Sequence, residues 1–449
     1  MFTTPDGVFR ALSATGLEEW RALAESPLWG ELQAERLVVE TQEAPVEAAA
    51  DLLAGGASAV LRHERVPFVS YPYEWPFSML KDAALLQLDL NRRALRAGLA
   101  LKDASPYNVQ WRGARPVFID VGSFERLRPG EPWAGYRQFC MLFLYPLMLQ
   151  AYKDLPFHAA LRGSLDGIAP AEARALLAGE RFRKGVLSNV LAHARLEERY
   201  AGAEGRAVKR DLKRAGFNEE LLAANFAKLE KLVARLEWNA GETAWTGYAE
   251  DNTYDAAAAG AKAAFVREAA ARRRVGIAWD AGCNDGAYAR VAAESADLVV
   301  AFDADHATVD ALYRRLREER REDILPLVMS LTDPSPDLGW RGRERASLER
   351  RGTPGLVLCL ALVHHVCIAG NVPVRELLDW LRSLDCTVVI EFPERSDPMV
   401  QRLLGGKRDG SNPDYERATF EQALEQSFTV DRSLRVSETR TLYEARPRA

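Results

Sequence analysis

The sequence predicts an α/β protein with two domains: an α+β domain with a helical lobe over residues 1–240, and a doubly wound, mainly parallel sheet over residues 241–449. Three observations support this prediction. A chain of 449 residues is longer than one ordinary domain. Strand-like apolar runs alternate with helical segments from Val275 onward, which is typical of a parallel sheet. Residues 133–240 have helical patterning almost throughout, whereas residues 1–125 mix short strands and helices.

Four of the five apolar runs in the second domain are rich in Val, Ile and Leu and carry few charges, as strands covered on both faces require. The predicted strands are Val275–Trp279, Leu298–Phe302, Ile324–Val328, Leu356–Leu362 and Thr387–Glu391. The predicted helices between them are Ala287–Ser295, Thr308–Glu319 and Val374–Leu384. Two further runs, Phe428–Val436 and Arg440–Ala445, are joined directly and predict an antiparallel hairpin at the edge of the sheet.

Composition and charge restrict the classes of partner and compartment. Lys plus Arg number 59 and Asp plus Glu number 64, and the net charge of −5 does not favour an extended nucleic-acid-binding face. The five cysteines show no C-x-x-C spacing and fit buried thiols in a reducing cytoplasm. The longest apolar run, Phe139–Leu149, is too short to span a bilayer, and the first residues lack a secretory pattern. We expect a cytoplasmic protein with neither a nucleic-acid nor a membrane partner, and its oligomeric state stays open.

The most informative segment is the turn after the first predicted strand of the second domain. That strand ends in Asp280, and Gly282 and Gly286 follow before a helix begins. Gly282 permits a tight turn and close approach of a ligand, and Gly286 lets the helix start close to the strand. Asp303 ends the next strand, where a carboxylate can accept both ribose hydroxyl protons of an adenosine. The two signals predict an adenosine-containing cofactor; the alternative is an ordinary strand–turn–helix corner beside a solvated carboxylate.

The pattern of this turn distinguishes between cofactors. NAD sites have G-x-G-x-x-G and phosphate-binding loops end in G-K-[ST], whereas this turn has D-x-G-C-x-x-G. Together with Asp303 and the terminal hairpin, it resembles class I S-adenosylmethionine-dependent methyltransferases, which implies a Rossmann-like fold and S-adenosylmethionine as cofactor. By that resemblance the turn backs the methionine part, Asp303 holds the ribose with Asp305 as a second candidate, and Ser330 meets the adenine. The expected cofactor residues are Trp245, Tyr254, Asp280, Gly282, Cys283, Asn284, Gly286, Asp303, Asp305, Ser330, Leu331 and Leu362.

Trp245 and Tyr254 belong to this set because they precede the first strand of the sheet. Their rings could cover the adenine, or attract the sulfonium through cation–π contacts. The alternative is that they seal the junction between the domains.

A wider resemblance covers most of the chain. The runs that carry it are YPYEWPFSMLKDAALLQLDL, TDPSPDLGW, ERASLERR, LALVHHVCIAGNVP, VVIEFPERSDP and RTLYEARPR. They resemble bacterial methyltransferases related to the nodulation protein NoeA. The resemblance implies methyl transfer without identifying the acceptor, which we expect to be a small molecule or a saccharide-like metabolite.

Three polar residues mark the expected acceptor side. His364 and His365 follow the fourth strand and Glu391 ends the fifth, so all three belong to the carboxyl edge that carries Asp280 and Asp303. A histidine with a pKa near neutral can remove a proton from a hydroxyl or an amine. The alternatives are a structural histidine, or methyl transfer that needs only in-line positioning and no base. A metal site made of these three residues has no known ligand spacing.

The first domain contains a second group of candidate functional residues, in the run LALKDASPYNVQWRGARPVFIDVGSFE. Asp103, Asn108 and Asp120 resemble the D-x-x-x-x-N and D-F-G elements of protein kinases and aminoglycoside phosphotransferases. The resemblance implies that Asp103 is the base and that Asn108 and Asp120 bind Mg²⁺ beside ATP. It also implies that VPFVSYPYEWPF forms a strand and hinge, followed by a helix over Ser78–Ala97.

Departures from the kinase pattern favour a degenerate kinase fold. Leu101 and Lys102 stand where kinases have His and Arg, and a glycine-rich phosphate loop is missing. The first lysine of the chain is Lys81, so no lysine of the N-terminal strands can bind phosphates; Arg62 is one possible substitute. Three functions stay open: a methyltransferase alone, a bifunctional kinase–methyltransferase, and a protein whose two folds only bind ligands.

Overall fold

The computed structural model describes residues 2–4, 7–45, 55–200, 218–241, 256–408 and 410–448. The chain divides into two compact units. Unit 1 contains Met1–Trp111 and Pro116–Ala240, and unit 2 contains Arg112–Arg115 and Gly241–Ala449.

Unit 1 begins with a four-stranded antiparallel sheet in the order β1-β2-β4-β3. Its strands are β1 (Phe2–Thr4), β2 (Gly7–Leu12), β3 (Thr41–Glu43) and β4 (Ala59–His63). Helices α1 (Ala14–Ala24) and α2 (Pro27–Ala34) lie between β2 and β3 in the chain. The Ser13 hydroxyl accepts the Gly16 N–H at 3.2 Å, which explains why α1 begins where it does.

The segment VPFVSYPYEWPF differs from the prediction. It contains a 3-10 turn at Pro72–Glu74, and the strand precedes it as β4, so the predicted strand is wrong. Its prolines remove backbone donors that a strand needs. Helix α3 (Phe77–Arg96) follows and matches the predicted helix within a residue at each end; its buried face includes Leu80, Ala84 and Leu88.

Two short strand pairs follow α3. β5 (Leu99–Leu101) pairs antiparallel with β8 (Phe124–Arg126), and β6 (Val109–Arg112) pairs with β7 (Arg115–Phe118). In the described ranges after β8, the regular structure of unit 1 is helical, as predicted for this part of the chain. Its helices are α4 (Tyr136–Phe139), a π-helical stretch (Cys140–Leu144), α5 (Tyr145–Lys153), α6 (His158–Gly163), α7 (Pro170–Leu177), a second π-helical stretch (Val186–Leu191), α8 (Ala192–Tyr200) and α9 (Glu219–Ala234).

Unit 2 contains a seven-stranded sheet flanked in the chain by helices. Its strands are β9 (Val275–Ala281), β10 (Ala296–Asp303), β11 (Ile324–Val328), β12 (Leu356–Cys359), β13 (Thr387–Pro393), β14 (Phe428–Ser437) and β15 (Arg440–Pro447). Its helices are α10 (Ala256–Ala271), α11 (Ala287–Ala292), α12 (His306–Glu318), α13 (Val374–Ser383), α14 (Pro398–Leu404) and α15 (Arg417–Ser427).

The strand order β11-β10-β9-β12-β13-β15-β14 is that of a doubly wound sheet whose order reverses between β9 and β12. The first five strands pair in parallel, and β15 lies antiparallel between β13 and β14. The predicted parallel sheet and edge hairpin are therefore confirmed. Strand β12 is shorter than predicted because Ala361 has a φ of 50°, which an extended strand does not allow.

Burial agrees with this architecture. Val299, Val300 and Ala301 of β10 are fully buried, as a central strand covered on both faces requires. All five cysteines are free and buried, in agreement with the thiols expected from the sequence. Among the described residues, no helix combines the length and the apolar character needed to cross a bilayer.

Candidate functional site

The turn after β9 lies at the point where the strand order reverses. Gly282 and Gly286 have φ angles of 73° and 77°, and both use the left-handed freedom of glycine. The N–H groups of Gly282 and Cys283 donate to the Phe302 carbonyl at 2.8 and 3.1 Å, so the turn is held against the end of β10. A Cβ at Gly286 would lie 2.6 Å from Leu312 Cδ1, which shows how closely α12 approaches the turn. This is the ligand-binding corner of an open α/β sheet.

The carboxylate of Asp303 is fixed beside that turn. Its Oδ2 accepts the Asn284 N–H at 3.1 Å, and its Oδ1 accepts the Asp305 N–H at 2.9 Å. Burial raises the pKa of Asp303, while these two backbone bonds act in the opposite direction. A carboxylate has about four lone-pair positions, so Asp303 keeps acceptor capacity for hydroxyl groups.

Asp305 has a different position. It caps α12, because its Oδ1 accepts the Thr308 N–H at 2.8 Å. This geometry favours Asp303 over Asp305 as the carboxylate that meets a ribose.

Beneath the turn, Asp280 and Cys283 are both buried. Asp280 is 2% exposed, and its Oδ2 has no hydrogen-bond partner among the described residues. Burial raises the pKa of Asp280 to about 7, although the nearby positive charge of Lys262 opposes this shift. Burial also raises the pKa of the Cys283 thiol, so a thiolate nucleophile is disfavoured there.

The neighbouring strand ends carry the remaining predicted cofactor residues. The Met329 N–H donates to the Asp303 carbonyl at 2.8 Å, which ties the end of β11 and the adjacent Ser330 and Leu331 to the end of β10. The Ser330 hydroxyl contacts Thr332 Oγ1 at 2.8 Å. On the other side, Leu362 lies over the turn, since a Cβ at Gly282 would be 3.1 Å from its Cδ1. Trp245 and Tyr254 lie outside the described residues.

Glu391 is the centre of a buried charge network. It is fully buried, and its Oε2 accepts Lys262 Nζ at 2.6 Å and the Ala361 N–H at 2.9 Å. Arg440 lies 3.6 Å from its Oε1, and the Arg440 guanidinium also binds Asp397 at 2.7 Å. Burial raises the pKa of Glu391 and lowers that of Lys262. With these partners, Glu391 is better placed to position the strand ends than to accept a proton from a substrate.

Lys262 was missed by the sequence reasoning. It is 3% exposed, lies in α10 and has its Nζ 4.8 Å from the centre of the Tyr288 ring. The available signal was a single lysine within the otherwise apolar run AAAAGAKAAFV. A lysine is rarely fully buried unless it is paired, so its position in an apolar helix indicated a buried partner.

His364 and His365 follow β12 at the same edge. His364 is fully buried, and neither ring nitrogen has a hydrogen-bond partner among the described residues. The two ring centres are 4.1 Å apart. Burial lowers the pKa of His364 well below its usual value and that of His365 to about 4, so both rings are neutral at pH 7. His365 is the less buried of the pair, and thus the more accessible to an acceptor.

The fold of unit 1 brings Asp103, Asn108 and Asp120 together. The Asp103 N–H donates to Ser123 Oγ at 3.2 Å, across the β5–β8 pair. The Ile119 N–H donates to the Asn108 carbonyl at 2.9 Å, across the hairpin that joins β6 and β7. Burial raises the pKa of Asp103, and the charge of Asp120 adds to the effect, so the two carboxylates lie within electrostatic reach.

A cation from the N-terminal sheet completes this cluster. Arg10 of β2 forms an ion pair with Asp120, with 2.5 Å between NH1 and Oδ1. Arg62, the substitute considered from the sequence, is exposed and pairs in register with Phe9, so it lies on the opposite face from Arg10. Only the strand register reveals Arg10, because alternate residues of a strand point to opposite faces.

The family of the chain is shown by comparison with a single relative, since no family model matches the chain. The nodulation protein NoeA of Rhizobium meliloti (strain 1021) is 35% identical over 396 residues, which cover 87% of this chain and 83% of that protein. Among solved structures, the N-methyltransferase NodS of Bradyrhizobium japonicum WM9 is 12% identical with a TM-score of 0.31, covering 43% of this chain and 98% of NodS.

A second solved structure is magnesium protoporphyrin IX methyltransferase of Synechocystis PCC 6803. It is 17% identical with a TM-score of 0.31, covering 50% of this chain and 94% of that one. The strand order of unit 2 is by itself that of a doubly wound α/β sheet. The sequence identity with NoeA extends over most of both proteins, and the chain therefore belongs to the NoeA family.

Proposed function

We propose that the chain is an S-adenosylmethionine-dependent methyltransferase whose cofactor binds in unit 2. The observation that carries the proposal is the position of Asp303. Its two carboxylate oxygens are held by the Asn284 and Asp305 N–H groups, beside the glycine turn at the switch point of the sheet. A carboxylate fixed in this way can accept hydrogen bonds from the two ribose hydroxyls of an adenosine.

The residues of the turn fit the rest of this cofactor. Gly282 supplies the positive φ of the turn, with Leu362 packed against it, and the unpartnered Oδ2 of buried Asp280 supplies negative charge beneath the turn. That charge suits a ligand that carries an ammonium and a sulfonium group. When bound, the cofactor supplies an activated methyl group. Asp303 would hold the ribose, Ser330 and Leu331 would border the adenine, and Leu362 would close the turn.

The acceptor belongs on the side of His364 and His365. Both rings are neutral at pH 7, so a ring nitrogen can accept a hydrogen bond or a proton from a hydroxyl or amine. A pKa of about 4 makes His365 a weak base, and this favours a role in orienting the acceptor over complete proton removal. We infer a small-molecule or saccharide-like acceptor; the net charge of −5 does not favour a nucleic acid.

A second candidate function is phosphotransfer by unit 1, which would make the chain a bifunctional kinase–methyltransferase. The observation in its favour is that Asp103, Asn108 and Asp120 are brought together by the β5–β8 pair and the β6–β7 hairpin. The spacing of these residues resembles that of the kinase catalytic and metal-binding residues. The substitution of Leu101 and Lys102 for the kinase His-Arg pair weighs against catalysis, and methyl transfer is the better supported function.

The experiment that tests methyl transfer is a calorimetric titration with S-adenosylhomocysteine. We expect the native protein to bind it and Asp303→Ala to bind about 10-fold more weakly or worse, since a charge-assisted hydrogen-bonding partner is lost. Asp297→Ala is the matched control, because Asp297 is an exposed carboxylate of the same strand that pairs with Arg274. Absence of binding to the native protein, or equal binding by the two variants, would contradict the proposal.

A further inference from the structure

Exposed apolar side chains are concentrated in one part of unit 1. Among the described residues between positions 155 and 196, six large apolar side chains are exposed: Leu155, Leu165, Leu176, Phe182, Leu187 and Leu196. In its described part, unit 2 exposes one such side chain, Trp340. Single exposed apolar residues are ordinary on a globular protein, whereas a concentration of them marks an interaction surface.

Phe182 is the most exposed member of this group. It is 90% exposed, and Leu187, five positions later, is 63% exposed. The cations Arg181, Arg183 and Lys184 flank Phe182 in the chain and are exposed as well, and the Arg181 guanidinium carbon lies 4.9 Å from the centre of the Phe182 ring. We call Arg181, Phe182, Arg183, Lys184 and Leu187 the Phe182 surface. It joins apolar and positively charged side chains within seven consecutive residues.

The loop that carries Phe182 is held in place by its other residues. A Cβ at Gly185 would lie 2.6 Å from Leu232 Cδ2, so α9 packs directly against the loop. The Tyr152 hydroxyl donates to the Lys184 carbonyl at 2.9 Å, which ties the loop to α5 as well. The backbone beside Phe182 is therefore packed and hydrogen-bonded, and the exposure of the Phe182 ring is a property of the folded loop.

The positive charge of this surface exceeds the negative charge beside it. Glu180 lies 3.8 Å from Lys153 and 3.6 Å from Arg183, so this one carboxylate is shared by two cations. Arg181 and Lys184 form no ion pair among the described residues. The Phe182 surface thus offers uncompensated positive charge to an anionic partner.

We propose that the Phe182 surface binds the headgroup layer of an anionic lipid bilayer, with the Phe182 ring inserted among the lipids and the cations against the lipid phosphates. The proposal concerns peripheral binding and requires no membrane-spanning helix. It depends neither on methyl transfer by unit 2 nor on phosphotransfer by unit 1. From the sequence alone we expected no membrane partner, because the exposure of Phe182 is visible only in the structure.

The chemistry of the surface favours a bilayer over other partners. A protruding apolar side chain enters a lipid headgroup layer without a complementary pocket, and Lys and Arg add attraction to anionic lipids. A single-stranded nucleic acid would also attract the cations, but Leu187 has no ring on which a base could stack. A second copy of the chain, paired symmetrically through this surface, would set Arg181 and Lys184 against the same cations of its partner.

The test is co-sedimentation of the full chain with two kinds of vesicle: phosphatidylcholine alone, and phosphatidylcholine mixed with phosphatidylglycerol in a three-to-one ratio. We expect binding to the anionic vesicles, little binding to the neutral ones, and weaker binding as the salt concentration rises. Phe182→Ser should weaken binding to the anionic vesicles about 3- to 10-fold, since the inserted ring is lost. Arg181→Glu together with Lys184→Glu should weaken it at least about 30-fold.

Unit 2 offers matched controls for both changes. Trp340→Ser removes an aromatic side chain that is 77% exposed, and Arg341→Glu together with Arg343→Glu makes the same change in charge beside it. Both controls should leave vesicle binding nearly unchanged. All the substituted side chains are exposed, so the melting temperature of each variant should stay close to that of the native chain.

Three results would overturn the proposal: no binding of the native chain to the anionic vesicles, equal binding to both kinds of vesicle, or equal losses from Phe182→Ser and Trp340→Ser. A titration with polyuridylate tests the nucleic-acid alternative. If the native chain binds this RNA, and Phe182→Ser abolishes RNA binding but leaves vesicle binding unchanged, the surface recognises nucleic acid and the proposal is wrong. S-adenosylhomocysteine binding in the same samples reports on unit 2 separately.

Discussion

Lys262 Nζ lies 2.6 Å from Glu391 Oε2, and both side chains are buried. The two residues belong to α10 and β13 and are 129 positions apart in the sequence. Their ion pair joins the helix before the first strand of unit 2 to the carboxyl end of the fifth. It therefore couples the two sides of the carboxyl edge at which we place the cofactor and the acceptor.

Removing one member of this pair should strongly destabilise unit 2. Lys262→Met leaves Glu391 buried with Arg440 as its remaining cation, and we expect a loss of about 3–5 kcal/mol in the free energy of unfolding. The measurement is urea denaturation. Arg267→Met is the control, because Arg267 is on the same helix in an exposed ion pair with Glu294 and should have little effect. Equal effects of the two substitutions would show that the buried pair does not stabilise the fold.

The stability of unit 2 should fall as the pH falls from about 6.5 to about 4, the usual and the lowered pKa of His365. In this window the unfolded chain binds a proton that the folded His365 does not, so the free energy of unfolding rises with pH. The contribution of this one residue is at most about 3 kcal/mol. We expect His365→Gln to reduce the slope of unfolding free energy against pH. An unchanged slope would contradict the burial of a neutral ring.

Gly286→Ala should disturb the cofactor turn. Its φ of 77° disfavours any side chain, and the added Cβ would lie 2.6 Å from Leu312 Cδ1. We expect a loss of about 1–3 kcal/mol in unfolding free energy and weaker S-adenosylhomocysteine binding. Gly276→Ala is the control, since Gly276 precedes the turn on the same strand and has open space where its Cβ would be. Equal effects of the two substitutions would show that the close packing of α12 against the turn does not explain why a glycine stands at position 286.

Asp280→Asn should reduce the preference for the charged cofactor. S-adenosylmethionine carries a sulfonium charge that S-adenosylhomocysteine lacks. Loss of the carboxylate should therefore lower the ratio of the affinity for S-adenosylmethionine to that for S-adenosylhomocysteine about 3- to 10-fold, or roughly 1 kcal/mol. Because burial raises the pKa of Asp280 to about 7, the native ratio should also increase from pH 6 to pH 8. Competitive calorimetry measures both. The control is Asp285→Asn, an exposed carboxylate of the same turn; a ratio unaffected by Asp280→Asn would remove Asp280 from the site.

Local patterns made most of unit 2 predictable. Buried parallel strands must be continuously apolar, so the runs at Ile324–Val328 and Thr387–Glu391 identified β11 and β13. The turn between Asp280 and Gly286 was recognisable because its glycines satisfy a backbone requirement that the sequence displays directly. The end of β12 was not recognisable in the sequence, because alanine has no preference for a positive φ and the positive φ of Ala361 arises from its surroundings.

Contacts between distant segments could not be predicted in the same way. The partner of Lys262 depends on the order of strands in the sheet, and no local sequence pattern encodes that order. Arg10 and Arg62 are both arginines on short strands, and only the register of β2 with β4 shows which of them meets Asp120. A shift of one residue in that register would exchange their faces.

The position of β15 determines when the sheet of unit 2 can finish assembling during synthesis. β15 follows all the other strands of the described residues, yet it lies between β13 and β14 and not at the edge. Its residue Glu444 is buried beneath Arg432 of β14, and Arg440 reaches Asp397 after β13. During synthesis β14 has no hydrogen-bonding partner in the sheet until β15 has emerged. A chain cut before Arg440 would therefore lose two strands from the sheet, with β13 left as an exposed, aggregation-prone edge.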